Sequence, residues 1–327
     1  MLVSKINKDY VIGDDFSVTP LPRVMRLEAS SLCNLKCMYC PTGTKYDSAR
    51  GKMSMEVFGR IVEEIRSYNK VDVVVLYHGG ESFLNKNIFR MIRTLKSIGI
   101  RLVKANTNGM LFNDEMLTEV IDSGLDSITF SIDGLSPQEN DRIRRGADYF
   151  RIANTIKRLI ALKREMYSET PEIRIANVQV PEEETIRSGK EVSTPQYLLN
   201  DFAEFKDEIM FEQYYTYKWP GYECSDEYVV IEPPAAVGFE PSNYCDHIVQ
   251  LITFRWNGDV VPCCYDITSE YIIGNIMTES LDEIWNNNRY KELRKSIYER
   301  NYMPMCNTCR VIRPQISVAK QMIEISV

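Results

Sequence analysis

Val24-Met-Arg-Leu-Glu-Ala-Ser-Ser-Leu-Cys33-Asn-Leu-Lys-Cys37-Met-Tyr-Cys40 opens as a short apolar strand and runs directly into three cysteines. Val24 to Ala29 reads as the strand, and the cysteines follow on the loop that leaves it. Their spacing is Cys-x₃-Cys-x₂-Cys. Three thiolates on one short loop can hold three irons of a cubane cluster, and the fourth iron is left without a protein ligand. An iron in that state is an open coordination position, like the open site of a catalytic zinc. A structural zinc wants a fourth protein ligand, and no nearby His or Cys supplies one; His78 and His247 are the only histidines in the chain.

The pattern downstream sets this loop in an α/β fold. Strands are expected at 24–29, 72–77, 101–106, 127–132, 172–180 and 208–214. Helices are expected at 54–68 with Ser54 as N-cap, 88–98 closed by Gly99, 113–123 closed by Gly124, 147–166 and 195–205. Strict alternation implies a parallel sheet with helices outside. Six strands fall short of the eight that close a (β/α)₈ barrel, so an open or partial barrel is expected, with ligands at the C-terminal strand ends. Residues 181–193 read as a surface loop or lid, and 215–244, rich in Pro, Gly and aromatics, as a bridge. A second compact unit spans 245–309. It holds a hairpin around Asn257-Gly258 and a helix over 281–300. The expected division is an N-terminal segment 1–22, a barrel 23–214, the bridge 215–244, a cluster unit 245–310 and a tail 311–327.

The 327 residues carry a net charge of −7 with no dense Lys/Arg stripe, which argues against a nucleic-acid partner. No apolar run approaches the ~18 residues of a membrane span, and the first ten residues lack the apolar core of a secretory signal. A cytoplasmic protein without a membrane partner is expected. In a reducing compartment the nine cysteines read as metal ligands rather than disulfides. They fall into two groups with none between residues 41 and 223, which implies two metal sites.

The first loop, with aromatic Tyr39 before its last cysteine, resembles the signature of radical S-adenosylmethionine (SAM) enzymes. Further segments follow in that family's order: His78-Gly-Gly-Glu-Ser82 after the second strand, Thr107-Asn-Gly109 after the third and Ser131-Ile-Asp-Gly134 after the fourth. Ser82 stands where the family usually has Pro. The resemblance implies a partial (β/α)₆ barrel in which Cys33, Cys37 and Cys40 hold a [4Fe–4S] cluster whose open iron binds SAM. It also implies SAM contacts at Tyr39, Gly79, Gly80, Glu81, Asn108 and Ser131. Glycines permit close backbone approach and a carboxylate accepts from the methionine ammonium. Of Arg142, Arg144 and Arg145, the last is favoured for the SAM carboxylate because it directly precedes Gly146. Asn177 and Val178 are placed near the adenine. Read without the resemblance, the Asn-Gly and Asp-Gly pairs are ordinary turn formers and the arginines a solvated basic turn.

Cys245, Cys263, Cys306 and Cys309 form the second set. On ligand count alone, four thiolates suit zinc and a cluster equally. The surrounding Asn257-Gly-Asp-Val-Val-Pro-Cys-Cys-Tyr-Asp266, Ile273-Gly-Asn275 and Ser280-Leu-Asp-Glu-Ile-Trp285 resemble the SPASM/twitch extension of radical SAM enzymes. The short cysteine count implies the twitch form, with one auxiliary [4Fe–4S] cluster. Adjacency leaves Cys264 as an alternative ligand to Cys263. Cys264 and Cys224 are left over, either as small buried hydrophobes or as catalytic thiols that return hydrogen to a substrate radical.

The resemblance implies an enzyme that forms a 5′-deoxyadenosyl radical and abstracts hydrogen from a C–H bond. Oxidation through the auxiliary cluster, epimerisation through a Cys donor, and crosslinking all remain open, as in relatives that dehydrogenate an aminocyclitol or epimerise sugars or peptides. Only about twenty residues precede the first strand, too few for a leader-binding domain, which favours a small polar substrate (a sugar, aminocyclitol or nucleotide-linked sugar) over a peptide. A flavodoxin or ferredoxin is the expected reductant.

Overall fold

In the computed structural model the described residues are 9–44, 49–180, 192–216, 219–220, 228–231, 242–309, 311–312 and 317–320. A small antiparallel pair comes first, β1 (Val11–Ile12) and β2 (Val18–Thr19). Six strands then build the barrel: β3 (Val24–Leu27), β4 (Val73–Val75), β5 (Leu102–Thr107), β6 (Ser127–Asp133), β7 (Glu172–Gln179) and β8 (Ile209–Tyr215). Each pairs parallel with the next in chain order, so the expected six-stranded partial barrel is present.

Period-two alternation divides these strands between two faces. Met25, Leu27, Val74, Leu76, Val103, Ala105, Ile128, Phe130, Ile173 and Ile175 bury outward, in one core with Phe58, Ile61, Ile92, Leu95, Val120, Ile156 and Leu159 of the helices. The residues between them face the concave side. Val24, Val73 and Val75 fill its floor against Tyr10, Leu102 and Leu251. The helices start where short polar side chains can accept orphan N–H groups: Ser54 from Val57 and Asn113 from Met116. Gly99 and Gly124 turn the chain out of two helices at φ 87° and 75°.

The structure departs from the sequence reading in several places. A helix at Pro137–Ile143, capped by Ser136, was not anticipated. The helix expected over 195–205 is one at Gln196–Asp201 followed by a 3₁₀ turn at Ala203–Phe205. The single helix expected over 281–300 is two, Leu281–Trp285 and Asn288–Tyr298, because Asn287 leaves helical geometry and caps the second through Tyr290 N–H. The C-terminal hairpin is also not separate from the barrel. Its strand β10 (Leu251–Phe254) pairs parallel with β3, and β11 (Asp259–Val261) and β12 (Gly274–Asn275) continue outward antiparallel. One nine-stranded sheet therefore joins both cysteine sets. Within the expected bridge, β9 (Tyr228–Ile231) pairs with β13 (Ser317–Lys320) of the tail. Residues 181–191 of the expected loop, and Cys224, lie outside the described residues. Among the described residues no helix is long and apolar enough to cross a membrane.

Candidate active site

The cysteine loop is held from two sides. Behind it, Ser31 N–H donates to Gly51 O and Gly51 N–H to Ser31 Oγ. In front, the N–H groups of Lys36 and Met38 donate to the carbonyls of Arg145 and Ile143, at 2.9 and 3.0 Å. Gly43 closes on the loop so tightly that a Cβ there would lie 2.8 Å from Cys37 N. Cys33 Sγ accepts from Leu35 N–H at 3.4 Å. Burial pushes the Cys33 and Cys37 thiols up, that of Cys37 to about 12.

The other expected contacts converge on this loop. A Cβ on Gly80 would sit 2.4 Å from Ser30 O and 2.5 Å from Leu32 O, so only glycine fits there. Glu81 is 3% exposed. Its carboxylate accepts from Phe83 N–H (3.2 Å), Thr107 Oγ1–H (3.0 Å) and Asn108 N–H (2.8 Å). Burial nonetheless raises its pKa. Asn108 donates its side-chain amide to Asn34 Oδ1 at 2.8 Å. Half-buried Ser131 has no hydrogen-bond partner for its side chain among the described residues.

Three expectations look different in place. Arg145 is exposed, whereas Arg144 turns inward and pairs with fully buried Asp133 at 2.8 Å. Tyr39 donates its hydroxyl to the same Asp133 oxygen, so Asp133 and Arg144 brace the loop from the strand end. Burial and the Asp133 charge hold the Tyr39 hydroxyl protonated. Asn177 gives both amide hydrogens to Ile132 O and Gly134 O and accepts from Gln179. Its side chain clasps β6 to β7 and has no hydrogen left for an adenine. Val178 takes part in the same clasp through its carbonyl, which accepts from Gly134 N–H.

Cys245 precedes the helix Asp246–Val249, Cys263 follows β11, and Cys306 and Cys309 flank the end of the helix Pro304–Asn307. All four line one cavity with Ile248, Leu293, Met305 and Ile312. Burial raises all four thiols. Among the described residues no three His, Cys, Asp or Glu side chains converge as the ligands of a single ion would. Four thiols around one shared cavity, three buried and that of Cys306 half-buried, instead suit a cubane, which takes a thiolate at each of four separate corners. At both sites the thiols that burial raises would lose solvation as thiolates, and bound iron would supply the compensating positive charge. The donor sets therefore fit the two clusters. Cys264 does not line the cavity. Its Sγ lies 3.6 Å from His247 Nδ1. Burial would push its thiol up, but Arg26 and His247 outweigh that and bring it to about 7.

A buried ion pair that motif reading missed joins the two halves. Glu28 at the end of β3 is fully buried and meets Arg255 Nε, 2% exposed, at 2.5 Å. Glu28 also accepts from Trp256 N–H (3.3 Å) and from Gly79 N–H (3.1 Å). Arg255 in turn donates to Ile267 O at 2.8 Å. One carboxylate thus ties the Gly-Gly-Glu loop to the C-terminal hairpin. The two partners lie far apart in the sequence, and no spacing rule connects them.

Comparison with known proteins agrees with this geometry. Residues 27–170 match the model of the radical SAM superfamily, and residues 245–310 match that of the SPASM iron–sulfur cluster-binding domain. The chain is 24% identical over 324 residues to a tungsten-containing aldehyde ferredoxin oxidoreductase cofactor-modifying protein of Pyrococcus furiosus, covering 88% of this chain and 87% of that one. Two similar solved structures are BtrN in complex with AdoMet and 2-DOIA, and native anSMEcpe with bound AdoMet and Cp18Cys peptide. BtrN gives a TM-score of 0.56 at 17% identity, over 89% of this chain and 93% of that one. anSMEcpe gives 0.58 at 17%, over 89% and 87%. SAM and a [4Fe–4S] cluster are the cofactors of the first domain, and auxiliary cluster binding is the property of the second. The chain belongs to the radical SAM superfamily and carries a C-terminal SPASM domain.

Proposed function

We propose that this enzyme abstracts a hydrogen atom from a C–H bond of a small polar substrate and returns hydrogen from Cys264, which makes it an epimerase of a sugar, aminocyclitol or nucleotide-linked sugar. The position of Cys264 carries the reading. Its thiol is not among the four that line the cavity, it sits against His247, and it lies within electrostatic reach of Arg26 and Tyr77 at the end of β4.

Cys33, Cys37 and Cys40 would hold the first cluster, and Cys245, Cys263, Cys306 and Cys309 a single second one. When bound, the first cluster with SAM supplies the 5′-deoxyadenosyl radical and the second supplies a site for one electron. The chain's own residues do the rest. Glu81 accepts from the methionine ammonium, and Gly79 and Gly80 let the backbone come close. Asn108 and Arg144 face the carboxylate, and Ser131 the ribose. Burial of these groups excludes water that would quench a radical. The Cys264 S–H bond then breaks to give its hydrogen atom to the substrate radical. The sulfur recovers one electron and one proton, the electron from a flavodoxin or ferredoxin.

Two observations favour other outcomes. A complete set of four cysteines leaves the second cluster no open corner, which suits pure electron acceptance and oxidation of an alcohol to a ketone. The extensive match to anSMEcpe, whose structure holds a peptide, favours a peptide substrate.

The test is anaerobic reconstitution with iron counting. About eight irons are expected in the parent and about four after Cys33, Cys37 and Cys40 are changed to Ala, with SAM cleavage abolished. Candidate sugars and aminocyclitols are then turned over in D₂O. Solvent deuterium in an otherwise unchanged product, lost in Cys264→Ala, supports epimerisation. A ketone without deuterium replaces it with oxidation.

A further inference from the structure

One level of the concave face carries polar groups that no other described residue answers. In register across the sheet lie Thr253 of β10, Arg26 of β3, Val75 of β4, Lys104 of β5 and Ser127 of β6. Residues in register on parallel strands project to the same side. Arg26 is 7% exposed, yet its Nε and Nη1 have no hydrogen-bond partner among the described residues. The Thr253 and Ser127 hydroxyls, also buried, have none either. The Lys104 ammonium makes no hydrogen bond or close ion pair among the described residues, although Glu212 and Glu172 lie within electrostatic reach of it. Arg174 on β7 differs, since Glu172 and Glu212 both pair with it.

A buried guanidinium with two unmet donors is costly unless something accepts from it. The Tyr77 ring, 5.8 Å from the Arg26 carbon, covers one face of the guanidinium and leaves Nε and Nη1 unanswered. Cys264 leans to His247 and makes no hydrogen bond with Arg26. Val75 separates the two cations. Two strand spacings put the Arg26 and Lys104 backbones roughly 10 Å apart, and a valine is too short to fill the space between their side-chain ends. Two long cations flanking a short apolar residue, with a hydroxyl beyond each, make a cradle for a planar or tetrahedral anion.

We propose that Arg26 and Lys104, aided by Thr253 and Ser127, receive an anionic group of the substrate, a carboxylate or a phosphate. This rests on the radical SAM reading of the barrel and adds a substrate class to it.

The experiment uses the reconstituted, SAM-bound protein titrated calorimetrically with inorganic phosphate and, separately, with acetate. Binding of at least one anion is expected, weakened at least about tenfold in Arg26→Gln and several-fold in Lys104→Gln, with Lys206→Gln on the surface as control. Preferred phosphate binding points to a phosphorylated substrate, and preferred acetate binding to a carboxylic acid. Should Arg26→Gln fail to fold, Lys104→Gln and Arg26→Lys still decide. The first must weaken binding, and the second must retain part of it by keeping the charge without the fork. Anion affinities unchanged in both position-26 and position-104 variants overturn the proposal, as does a parent that binds neither anion. SAM affinity falling as far as anion affinity in Arg26→Gln also overturns it, by assigning the guanidinium to SAM. A parent lacking its irons or SAM cleavage fails earlier, and that failure belongs to the enzyme reading instead.

Discussion

Replacing Arg255 by Met tests how the Gly-Gly-Glu loop is held. The substitution keeps the apolar stem of the side chain and removes the formal charge that meets Glu28 among the described residues. Both partners are buried at 2.5 Å separation, and breaking such a pair from one side costs about 3–5 kcal/mol, because a carboxylate is stranded without its counter-charge. The two N–H donors from Gly79 and Trp256 remain, so the lower end of that range is expected. At about 2 °C per kcal/mol for a chain of this size, the anaerobic thermal midpoint should fall by roughly 6 °C. Removing both charges, as in Glu28→Gln with Arg255→Met, should cost less than the two single changes added, with a coupling of about 2 kcal/mol. The pH dependence has a definite sign. Burial already pushes Glu28 up, against the pull of Arg255, and without Arg255 it rises further. A carboxyl raised on folding contributes stability below its unfolded pKa and loses it as pH climbs through the folded value. The deficit of Arg255→Met should therefore shrink on acidification from pH 8 toward 5.5. Additive single changes, or a deficit that grows on acidification, would refute the claim that this ion pair clamps the loop.

Other outcomes follow from the site. Glu81→Gln should leave the SAM-free protein at least as stable at pH 7.5, since burial raises the native carboxyl and its stabilising protonated form is lost as pH rises through that value. Its SAM affinity should fall by about 10- to 100-fold through loss of a charge-assisted hydrogen bond, read by equilibrium dialysis. Gly80→Ala drives a Cβ into two carbonyl oxygens of the cysteine loop and should cost about 1–3 kcal/mol or more. Iron analysis should show that it empties the first site and spares the second. Cys263→Ala should lose about four irons while Cys264→Ala keeps about eight, because only Cys263 lines the four-cysteine cavity. The opposite result would exchange their roles.

The legibility of this chain divides along physical lines. The first four barrel strands were readable because each carries apolar positions into the core and leads into a motif segment, as Val73–Val75 does before Gly79-Gly80. The C-terminal hairpin was readable from Asn257-Gly258, but its place in the barrel sheet was not, since parallel pairing of β10 with β3 leaves no local mark. The break at Asn286-Asn287 was missed because apolar spacing continues on both sides of it. Helix Pro137–Ile143 was missed because it is short and polar, although Ser136-Pro137 with Glu139 was a start signal. Which of Arg144 and Arg145 turns inward, and which of Cys263 and Cys264 lines the cavity, are questions of side-chain direction. Neighbours in sequence cannot answer them.

The pairing of β10 on β3 also sets an order of events at the ribosome. Val24 must wait for Leu251 before its outer edge is covered. At roughly 5–20 residues per second, that wait is on the order of 10–45 s. Throughout it the nascent chain carries a bare strand edge, the kind of surface that seeds aggregation. Truncation before residue 251 would make that exposure permanent. Expression trials of shortened chains should keep β10, because without it the barrel's first strand has an open side.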